Sequence, residues 1–371
     1  MEPKRTLRLC LAGDLMLGRG IDQALLTSCD PRIYERFVGD ARDYVTLAEQ
    51  RNGPISQPIS CARLWGDAAA ARERRAPDLA FANLETAATT HPDPWPGKAI
   101  HYRMHPDNLA CLTAFGWDAV SLANNHVLDW DVAGLAETLA RLDEAGIPYV
   151  GAGRSAEAAA EPWRVELKDR SVAVLAYGSP DSGVPDDWAA AERAPGVNLL
   201  SDFTEATVDS LVDDIEARTA ADDVVIVSVH WGSNWGWDVP EAHRRVARRL
   251  IDEAGVDLVH GHSSHHPRPL EVYRGKLILY GCGDFVNDYE GIGGHDEYRG
   301  DLTVLYVADL DAREGTLDQL SMEVFQIRRL GLRAASADDA AWLGRTLQRH
   351  GRASSGSLSH AGGNRLAGDV R

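Results

Sequence analysis

Five short polar clusters in this chain each follow a run of apolar residues that is typical of a buried β-strand. The clusters are Gly13-Asp14, Asn83-Leu84-Glu85, Asn124-Asn125-His126, His230-Trp231 and His260-Gly261-His262-Ser263-Ser264-His265. In an open α/β sheet, the loops at the carboxyl ends of the strands converge on one crevice. The repeated placement therefore limits the chain to folds in which several strand ends meet at one polar site.

Helical patterns lie between many of the predicted strands, and this alternation favours an α/β fold. Leu135, Leu139 and Leu142 recur at helical spacing in a helix predicted for 132–145, and a second helix is predicted for 241–254. The predicted strands are 7–12, 79–82, 119–123, 172–176, 224–229 and 256–259. After residue 265, a hairpin over 270–280 and strands at 302–307 and 320–327 indicate a mixed or second sheet.

We expect two packed sheets flanked by helices, in one domain that covers residues 1–351. Residues 27–58 have weak periodicity and many charges, so they are expected to form an insertion or lid between the first strand and its helix. Residues 352–371 are rich in Gly, Ser, Ala and Arg, which predicts a disordered tail.

Charge and cysteine usage exclude some functions. The formal charge of -18 argues against nucleic-acid partners, because these are bound through an excess of Lys and Arg. No apolar stretch of about 18 residues is present, so no membrane span is expected, and the amino-terminal segment reaches Asp14 before a signal-peptide core is complete. The five cysteines, an odd number without CxxC spacing, favour reduced thiols and a cytoplasmic protein.

The clusters contain the side chains that one or two divalent metals would need. The candidate ligands are Asp14, Glu85, Asn125, His230 and His262. Carboxylate, amide and imidazole groups are all used by proteins to bind divalent metals. A single Asp after a strand is more often a cap or turn residue, but five such side chains in the same structural position favour a metal site.

In order and spacing, the clusters resemble the motifs of the CapA family, named for poly-γ-glutamate capsule synthesis, within the calcineurin-like metallophosphoesterase superfamily. The resemblance covers about residues 6–330 and implies a metallophosphoesterase-like α/β/β/α sandwich. It implies one metal at Asp14, Glu85 and His265 and another at Asn125, His230 and His262. It also implies that His126 is the proton donor, with Asn83 either an alternative to Glu85 or a substrate-binding residue.

Two departures from the family pattern bear on the metals. Met16 stands where the superfamily has a metal-binding histidine, and a thioether is a poor ligand for hard or borderline metals. Ser263-Ser264 adds a residue between the histidines of the last cluster, which changes the reach of His265. We therefore expect at most one firmly bound divalent metal, a weak or empty second site and no organic cofactor.

Three tryptophans follow His230 on a glycine-containing loop. Trp231, Trp235 and Trp237 are too irregularly spaced for a core stripe, and they suit either a pocket for an aromatic or peptide ligand or packing against the insertion. His295 follows Gly293-Gly294, a hinge that would let it reach the site as a second base. A solvated surface histidine is the alternative.

These residues favour proton transfer, because the expected loss of one metal weakens two-metal phosphoester hydrolysis. One branch of the family resembled here consists of cofactor-independent peptide epimerases of lasso-peptide biosynthesis. The resemblance implies inversion of the Cα of a C-terminal tryptophan in a precursor peptide, with His295 and either His126 or Asp14 as the two bases. The alternatives are a metallophosphoesterase acting on a small phosphate ester, a poly-γ-glutamate-related CapA protein, and a non-catalytic binding module.

Overall fold

The computed structural model describes residues 5–351 and 357–369. Its strands are β1 Thr6–Leu15, β2 Leu79–Leu84, β3 Ala87–Ala88, β4 Arg103–Met104, β5 Ala119–Ser121, β6 Tyr149–Val150, β7 Ala152–Gly153, β8 Trp163–Leu167, β9 Arg170–Gly178, β10 Gly196–Val197, β11 Val224–His230, β12 Leu258–His262, β13 Leu270–Tyr273, β14 Lys276–Leu279, β15 Asp284–Val286, β16 Leu302–Asp311, β17 Leu317–Ile327, β18 Leu332–Ala334, β19 Ser357–His360 and β20 Arg365–Asp369. Its α-helices are α1 Arg19–Ala24, α2 Arg42–Asn52, α3 Cys61–Arg75, α4 Ala110–Phe115, α5 Asp131–Ala145, α6 Ala156–Ala160, α7 Glu205–Arg218, α8 Glu241–Asp252 and α9 Ala337–His350.

Two mixed sheets form the centre of the described structure. The larger follows the order β19-β20-β17-β16-β1-β2-β5-β6, with β15 also paired to β1 and β18 to β17. The smaller follows the order β13-β14-β12-β11-β9-β8. Strands β1, β2 and β5 are parallel in the larger sheet, as are β9, β11, β12 and β14 in the smaller one. Two short two-stranded pairings, β3-β4 and β7-β10, lie outside these sheets.

Alternation along β11 shows why both faces of the smaller sheet are covered. Val224 and Ile226 belong to the core that also contains Phe81 of the larger sheet, whereas Val225 and Val227 belong to the core shared with α7 and α8. Fully burying such aliphatic side chains stabilises the fold by about 1.5–3 kcal/mol each. The expected sandwich of two packed sheets flanked by helices is confirmed.

The carboxyl-terminal segment is not the disordered tail that its composition predicted, within the part of it that the structure describes. Strand β20 pairs with β17, and β19 pairs with β20, so both extend the larger sheet. Leu358 and Leu366 are buried, and Leu366 lies against Gly344 of α9. Burial of these two apolar side chains stabilises the segment against the rest of the protein, although its overall composition is polar. Residues 352–356 and 370–371 of the predicted tail lie outside the described residues.

The prediction of five reduced thiols is wrong for two of them. Cys61 of α3 and Cys111 of α4 form a disulfide with a Cα–Cα distance of 4.9 Å, while Cys10, Cys29 and Cys282 are free and buried. The two cysteines are 50 residues apart, so neither the number of cysteines nor their local spacing reveals this pairing. Because disulfides are typical of oxidising compartments, the cysteines give no support to a cytoplasmic location.

Among the described helices, none combines the length and the apolar character needed to cross a bilayer.

Segment 27–58 contains α2 and is anchored through Arg19, which precedes it. The Arg19 side chain is only 3% exposed, and its guanidinium contacts Glu35 of the segment at 2.8 Å and Asp288 at 2.5 Å. The guanidinium also lies 3.8 Å from the ring centroid of Tyr44 and 4.1 Å from that of Tyr102. One buried cation thus ties the segment to the chain beyond β15.

Replacing Arg19 by Met should destabilise the protein strongly, because it leaves Glu35 and Asp288 buried without their cation. We expect the free energy of unfolding, measured by urea denaturation, to fall by about 3–5 kcal/mol. Arg42→Met is the matched control, since the Arg42–Asp40 pair is 67% and 34% exposed, and it should leave the free energy of unfolding nearly unchanged. Equal losses in the two variants would contradict this account.

Candidate metal centre and proton-transfer site

Strand ends from both sheets meet at one site. In the larger sheet, Asp14 of β1 lies opposite Asn83 of β2 and Asp284 of β15. In the smaller sheet, His230 of β11 lies opposite His262 of β12. The two sheets touch just behind these residues, where the His260 ring meets the Ala12 carbonyl at 2.8 Å. The parallel strands therefore deliver a carboxylate from one sheet and two imidazoles from the other.

Asp14, His230 and His262 form a buried triad whose potential ligand atoms all lie within 4.8 Å of one another. The Nδ1 atoms of the two histidines are 2.8 Å apart, and Asp14 Oδ1 is 3.4 Å from His262 Nδ1. Each side chain is 0–1% exposed. The triad therefore offers one oxygen and two nitrogen ligands to a single point.

Polar neighbours fix the orientation of the triad. The other ring nitrogen of His262, Nε2, lies 2.9 Å from the Ser228 hydroxyl. The backbone N–H of Ser263 donates to Asp14 Oδ2 at 3.1 Å, and Ser263 adopts a left-handed φ of 102°. Such a conformation is costly for a serine and persists only where its surroundings impose it. The strained turn after β12 thus aims an N–H at the carboxylate of the other sheet.

The directions of the pKa shifts of Asp14 and His230 fit a divalent cation. Burial alone would raise the pKa of Asp14, but the hydrogen bond and charge of His262, and then the charge of His230, hold it below its usual range. Burial, and next the charge of His262, lowers the pKa of His230 well below its usual value. Metal ligands must be deprotonated, and a carboxylate with imidazoles suits borderline divalent metals. The residues present therefore fit the single metal that the sequence predicts.

Glu85 adds a second buried carboxylate beside Asp14. The Asn83 amide donates to Asp14 Oδ1 at 2.7 Å and to Glu85 Oε2 at 3.4 Å. Burial, and then the charge of Asp14, raises the pKa of Glu85 well above its usual value. A cation near this pair would relieve the repulsion. Asn83 is itself fully buried and also accepts from the Asn124 amide, so it positions Asp14, and a contact of Asn83 with substrate stays a prediction.

The structure groups the predicted ligands differently from the expected two sets. Asn125 Oδ1 lies 3.2 Å from His230 Nε2, as expected for one set. His265, in contrast, is not part of the triad, and its Nδ1 lies 3.0 Å from Asp284 Oδ1. Asp14, expected to share a metal with His265, instead joins His230 and His262. The extra residue of the last cluster and the left-handed turn at Ser263 both lie between His262 and His265.

His126, the predicted proton donor, lies at a cavity of about 220 Å³ next to this site. Its Nδ1 is 2.6 Å from Asp129 Oδ2 and 3.1 Å from Lys98 Nζ, while its Nε2 is 3.8 Å from Glu85 Oε1. Lys98 also donates to Asp129. Burial is the main reason that the pKa of His126 is lowered to about 4. The Asp129 carboxylate thus fixes the ring at Nδ1, while Nε2 faces Glu85 and the cavity.

His265, which lines the same cavity, belongs to a second histidine–aspartate pair. Although burial opposes it, the charge and hydrogen bond of Asp284 raise the pKa of His265. The His265 Nε2 is 3.4 Å from the hydroxyl of Tyr289, whose hydroxyl is 3.2 Å from that of Tyr102. Asp284 and Lys98 are residues that the sequence reasoning missed. The Gly283-Asp284 dipeptide repeats the Gly13-Asp14 pattern and was the available signal for Asp284.

The three tryptophans have three different environments. Trp231 is 1% exposed and stacks on His243 with ring centroids 4.5 Å apart, so its predicted role in substrate binding is wrong. Trp237 is partly exposed and packs against His266 and Tyr298, and a substrate contact of its ring stays a prediction. Trp235 lines a cavity of about 710 Å³. A position in a loop sequence does not reveal which rings stack in the core.

His295 does not join His126 at the small cavity. It is exposed and stacks on Trp235 at 4.2 Å between centroids, on the wall of a larger neighbouring cavity. Residues that line the small cavity include Glu85, His126 and His265. The predicted pairing of His295 with His126 or Asp14 as opposed bases is therefore not formed.

Comparisons with known proteins bear on this site. Residues 8–289 match the family model described as bacterial capsule synthesis protein PGA_cap. A probable polyglutamine synthesis accessory protein of Mycobacterium tuberculosis is 46% identical over 344 residues, which cover 91% of this chain and 90% of that protein. The PGA biosynthesis protein CapA of Bacillus subtilis is 31% identical over 58% of this chain and 54% of its own length. The matched segment contains the triad and both histidine–aspartate pairs.

Among solved structures, a novel phosphatase from Mycoplasma pneumoniae aligns over 87% of this chain and 94% of its own, with 11% identity and a TM-score of 0.46.

Loss of stability in acid should report the burial of His126. An unfolded histidine takes up its proton near pH 6.5, whereas His126 does so at about 4. Its contribution to the free energy of unfolding is therefore complete above about pH 6.5 and is lost as the pH falls to about 4, by roughly 3 kcal/mol. Chemical denaturation of the chelator-treated protein should show a smaller acid-side decline in His126→Asn than in the parent chain. Parallel profiles would contradict this.

Metal affinity should depend on the triad and less on His265. We expect Asp14→Asn, His230→Ala and His262→Ala to weaken binding of Zn²⁺ or Mn²⁺ by about a hundredfold or more, since even outer partners of ligands are worth about 10–100-fold. Titration calorimetry measures this directly. His265→Ala is the discriminating variant: a loss equal to that of His262→Ala would support the grouping expected from sequence instead.

Proposed function

The chain belongs to the bacterial capsule synthesis protein (PGA_cap) family, and from that premise we propose that it is an accessory protein of polyglutamate or polyglutamine synthesis with a metal-dependent hydrolytic site. The relatives' names supply the process, and the geometry supplies the reaction class. One observation carries the reaction: a buried triad suited to a metal shares its surroundings with a histidine whose far nitrogen is held by a carboxylate.

Asp14, His230 and His262 would hold the metal, with Asn125 and Glu85 close enough to adjust to it. A divalent cation there would polarise a substrate oxygen and make a bound water more acidic. These protein groups therefore fix where the electrophilic part of a substrate sits. Asn83 and Ser263 keep the Asp14 carboxylate aimed at that point through their N–H donors.

His126 is placed to move a proton at Nε2. The Asp129 carboxylate accepts a hydrogen bond from Nδ1 when that nitrogen carries a proton, and it balances the positive charge of a protonated ring. This contact fixes the ring as a carboxylate does in other histidine dyads. In the unliganded site the pKa of His126 is about 4, so the ring is neutral near neutral pH. A bound anionic group beside Nε2 would favour the protonated ring. His126 would thus acquire its proton when a charged substrate arrives and donate it to the leaving group.

The epimerase hypothesis has lost the pair of bases on which it was built. Inversion at Cα needs one group to remove the proton and another to return it from the opposite face. His295 was assigned one of these roles, but it lies exposed against Trp235. Inversion of a peptide Cα stays a prediction, and the hydrolytic role has the stronger support.

Hydrolysis of a generic aryl phosphate with added Zn²⁺ or Mn²⁺ tests the proposal. Replacing His126 by Gln should lower kcat by about 100–10,000-fold, the range for losing a positioned acid. Asp129→Asn should lower kcat as well, because the ring loses its anionic partner. Removing the metal with a chelator should abolish turnover, and adding it back should restore turnover.

His360→Ala serves as the control, since His360 lies in the exposed β19–β20 hairpin and contacts the Gly363 carbonyl. Its turnover should equal that of the parent chain. Absence of hydrolysis across metals and phosphate esters would overturn the proposal. Incorporation of solvent deuterium at the Cα of a C-terminal aromatic residue, in that case, would restore the epimerase hypothesis.

A further inference from the structure

A cavity of about 710 Å³ adjoins the small cavity at Tyr289, which lines both. Helix α2 of the segment 27–58 forms one wall, and the loop from 287 to 301 forms another. The volume falls within the range of about 300–1,000 Å³ that is usual for ligand sites. The two cavities thus have the Tyr289 side chain as a common part of their walls.

We infer that the large cavity binds a neutral peptide segment with primary-amide side chains, of the glutaminyl rather than the glutamyl class, and leads it towards the triad. The inference rests on the proposed function in one respect, because it makes this cavity the substrate subsite of that site. Three observations carry it: a planar platform, a lining without excess positive charge, and a set of hydrogen-bond acceptors.

The platform is the stacked pair of Trp235 and His295. Their ring planes are 13° apart, and His266 stacks on Trp235 at 6.0 Å between centroids and 11°. Ile292, which is 45% exposed, lies on the same cavity wall. Flat aromatic and apolar surfaces accept peptide planes and aliphatic side-chain stems by burial of their area. Such a platform suits an extended peptide better than a compact ion.

The charged side chains that line the cavity are two arginines, Arg51 and Arg299, and three carboxylates, Glu290, Asp296 and Asp301. Arg299 contacts Asp301 at 2.7 Å and Asp339 at 3.0 Å, and Glu290 accepts the backbone N–H groups of Arg329 and Leu330 at 2.7 and 2.6 Å. Within the described part of the chain, the lining side chains without such partners include one cation, Arg51, and one anion, Asp296.

No excess of positive charge is therefore available for a polyanion. The formal charge of the whole chain is -18, so a run of glutamates would approach against long-range repulsion. A chain of glutamines carries no charge and meets no such barrier. The electrostatics thus favour the amide form of the peptide.

The hydrogen-bonding groups favour it as well. The Asn52 amide nitrogen donates to Glu290 and that of Gln326 donates to Asp301, so both side chains leave their carbonyl oxygens for a ligand. Among the described residues, Gln50 has no hydrogen-bond partner for its side chain. Carbonyl oxygens accept from the NH₂ group of glutamine, whereas a carboxylate has no proton to offer them. The cavity thus discriminates between the two side chains by donor count.

Fluorescence anisotropy of labelled peptides on the full chain tests the inference. At low ionic strength, an oligoglutamine should bind about tenfold or more tightly than α- or γ-linked oligoglutamates of equal length, and added salt should narrow the gap by screening repulsion. Trp235→Ala should weaken oligoglutamine binding by about tenfold, because it removes the platform. Gln50→Lys should weaken oligoglutamine binding and tighten oligoglutamate binding, since it replaces an acceptor by a cationic donor.

Gln319→Lys is the matched control, because Gln319 is exposed on β17 and the same charge is added there. It should leave both peptide affinities near those of the parent chain. Tighter binding of oligoglutamate by the parent chain would overturn the inference, as would no binding of either peptide. Equal affinities in the parent chain and the Trp235 and Gln50 variants would place the peptide elsewhere and also overturn it.

The same preparations separate this inference from the proposed function. If triad-dependent metal binding and aryl phosphate hydrolysis stand while oligoglutamine does not bind, the peptide inference alone falls. If oligoglutamine binds through Trp235 while hydrolysis is absent, the hydrolytic proposal falls and the peptide site stands.

Discussion

The carboxylate of Asp14 is the point at which the two sheets are joined chemically. It belongs to β1 of the larger sheet, accepts from Asn83 of β2, and accepts from the backbone of Ser263 just after β12 of the smaller sheet. His262 approaches it from the same sheet as Ser263. A buried carboxylate is stable only when donors or cations surround it. The polar residues around Asp14 are therefore needed to stabilise a carboxylate that is buried where the two sheets meet.

Arg19 has the corresponding role for the outer part of the site. Its guanidinium lies between Glu35 and Asp288, and the Tyr102 ring against which it packs carries a hydroxyl that contacts Tyr289. Tyr289 in turn contacts His265. Seen together, segment 27–58 and the loop after β15 form one electrostatic unit around a buried cation. That unit supplies two of the walls of the large cavity, so the shape of the cavity depends on Arg19, a charged side chain that is not among its lining residues.

The strand-end rule accounts for what the sequence predicted well. Asp14, His230 and His262 occupy equivalent ends of parallel strands, and the apolar runs before them have to be buried, so their convergence follows from topology. Orientation beyond the strand end does not follow. His265 contacts Asp284 beyond a left-handed residue, Ser263, and Asp284 itself begins a strand of only three residues, too short for its periodicity to be recognised.

Long-range partnerships were equally invisible. Trp231 stacks on a histidine of α8, and Cys61 pairs with Cys111 across 50 residues. Burial of Leu358 and Leu366 stabilises a polar carboxyl-terminal segment as two strands of the larger sheet. In each case the deciding contact joins residues far apart in sequence, and local composition carries no record of it. His295 illustrates the reverse limit, since a flexible glycine pair permits many positions and the sequence does not select among them.

Tyr289 forms part of the wall of both cavities, and its hydroxyl is the partner of His265. A displacement that widens the large cavity at this ring would also change the hydrogen bond of a histidine in the small one. Coupling of this kind is reciprocal, since each occupant alters the affinity for the other by the same factor. A ligand that displaces Tyr289 in the large cavity would therefore change the hydrogen bonding, and with it the protonation, of His265 in the small one.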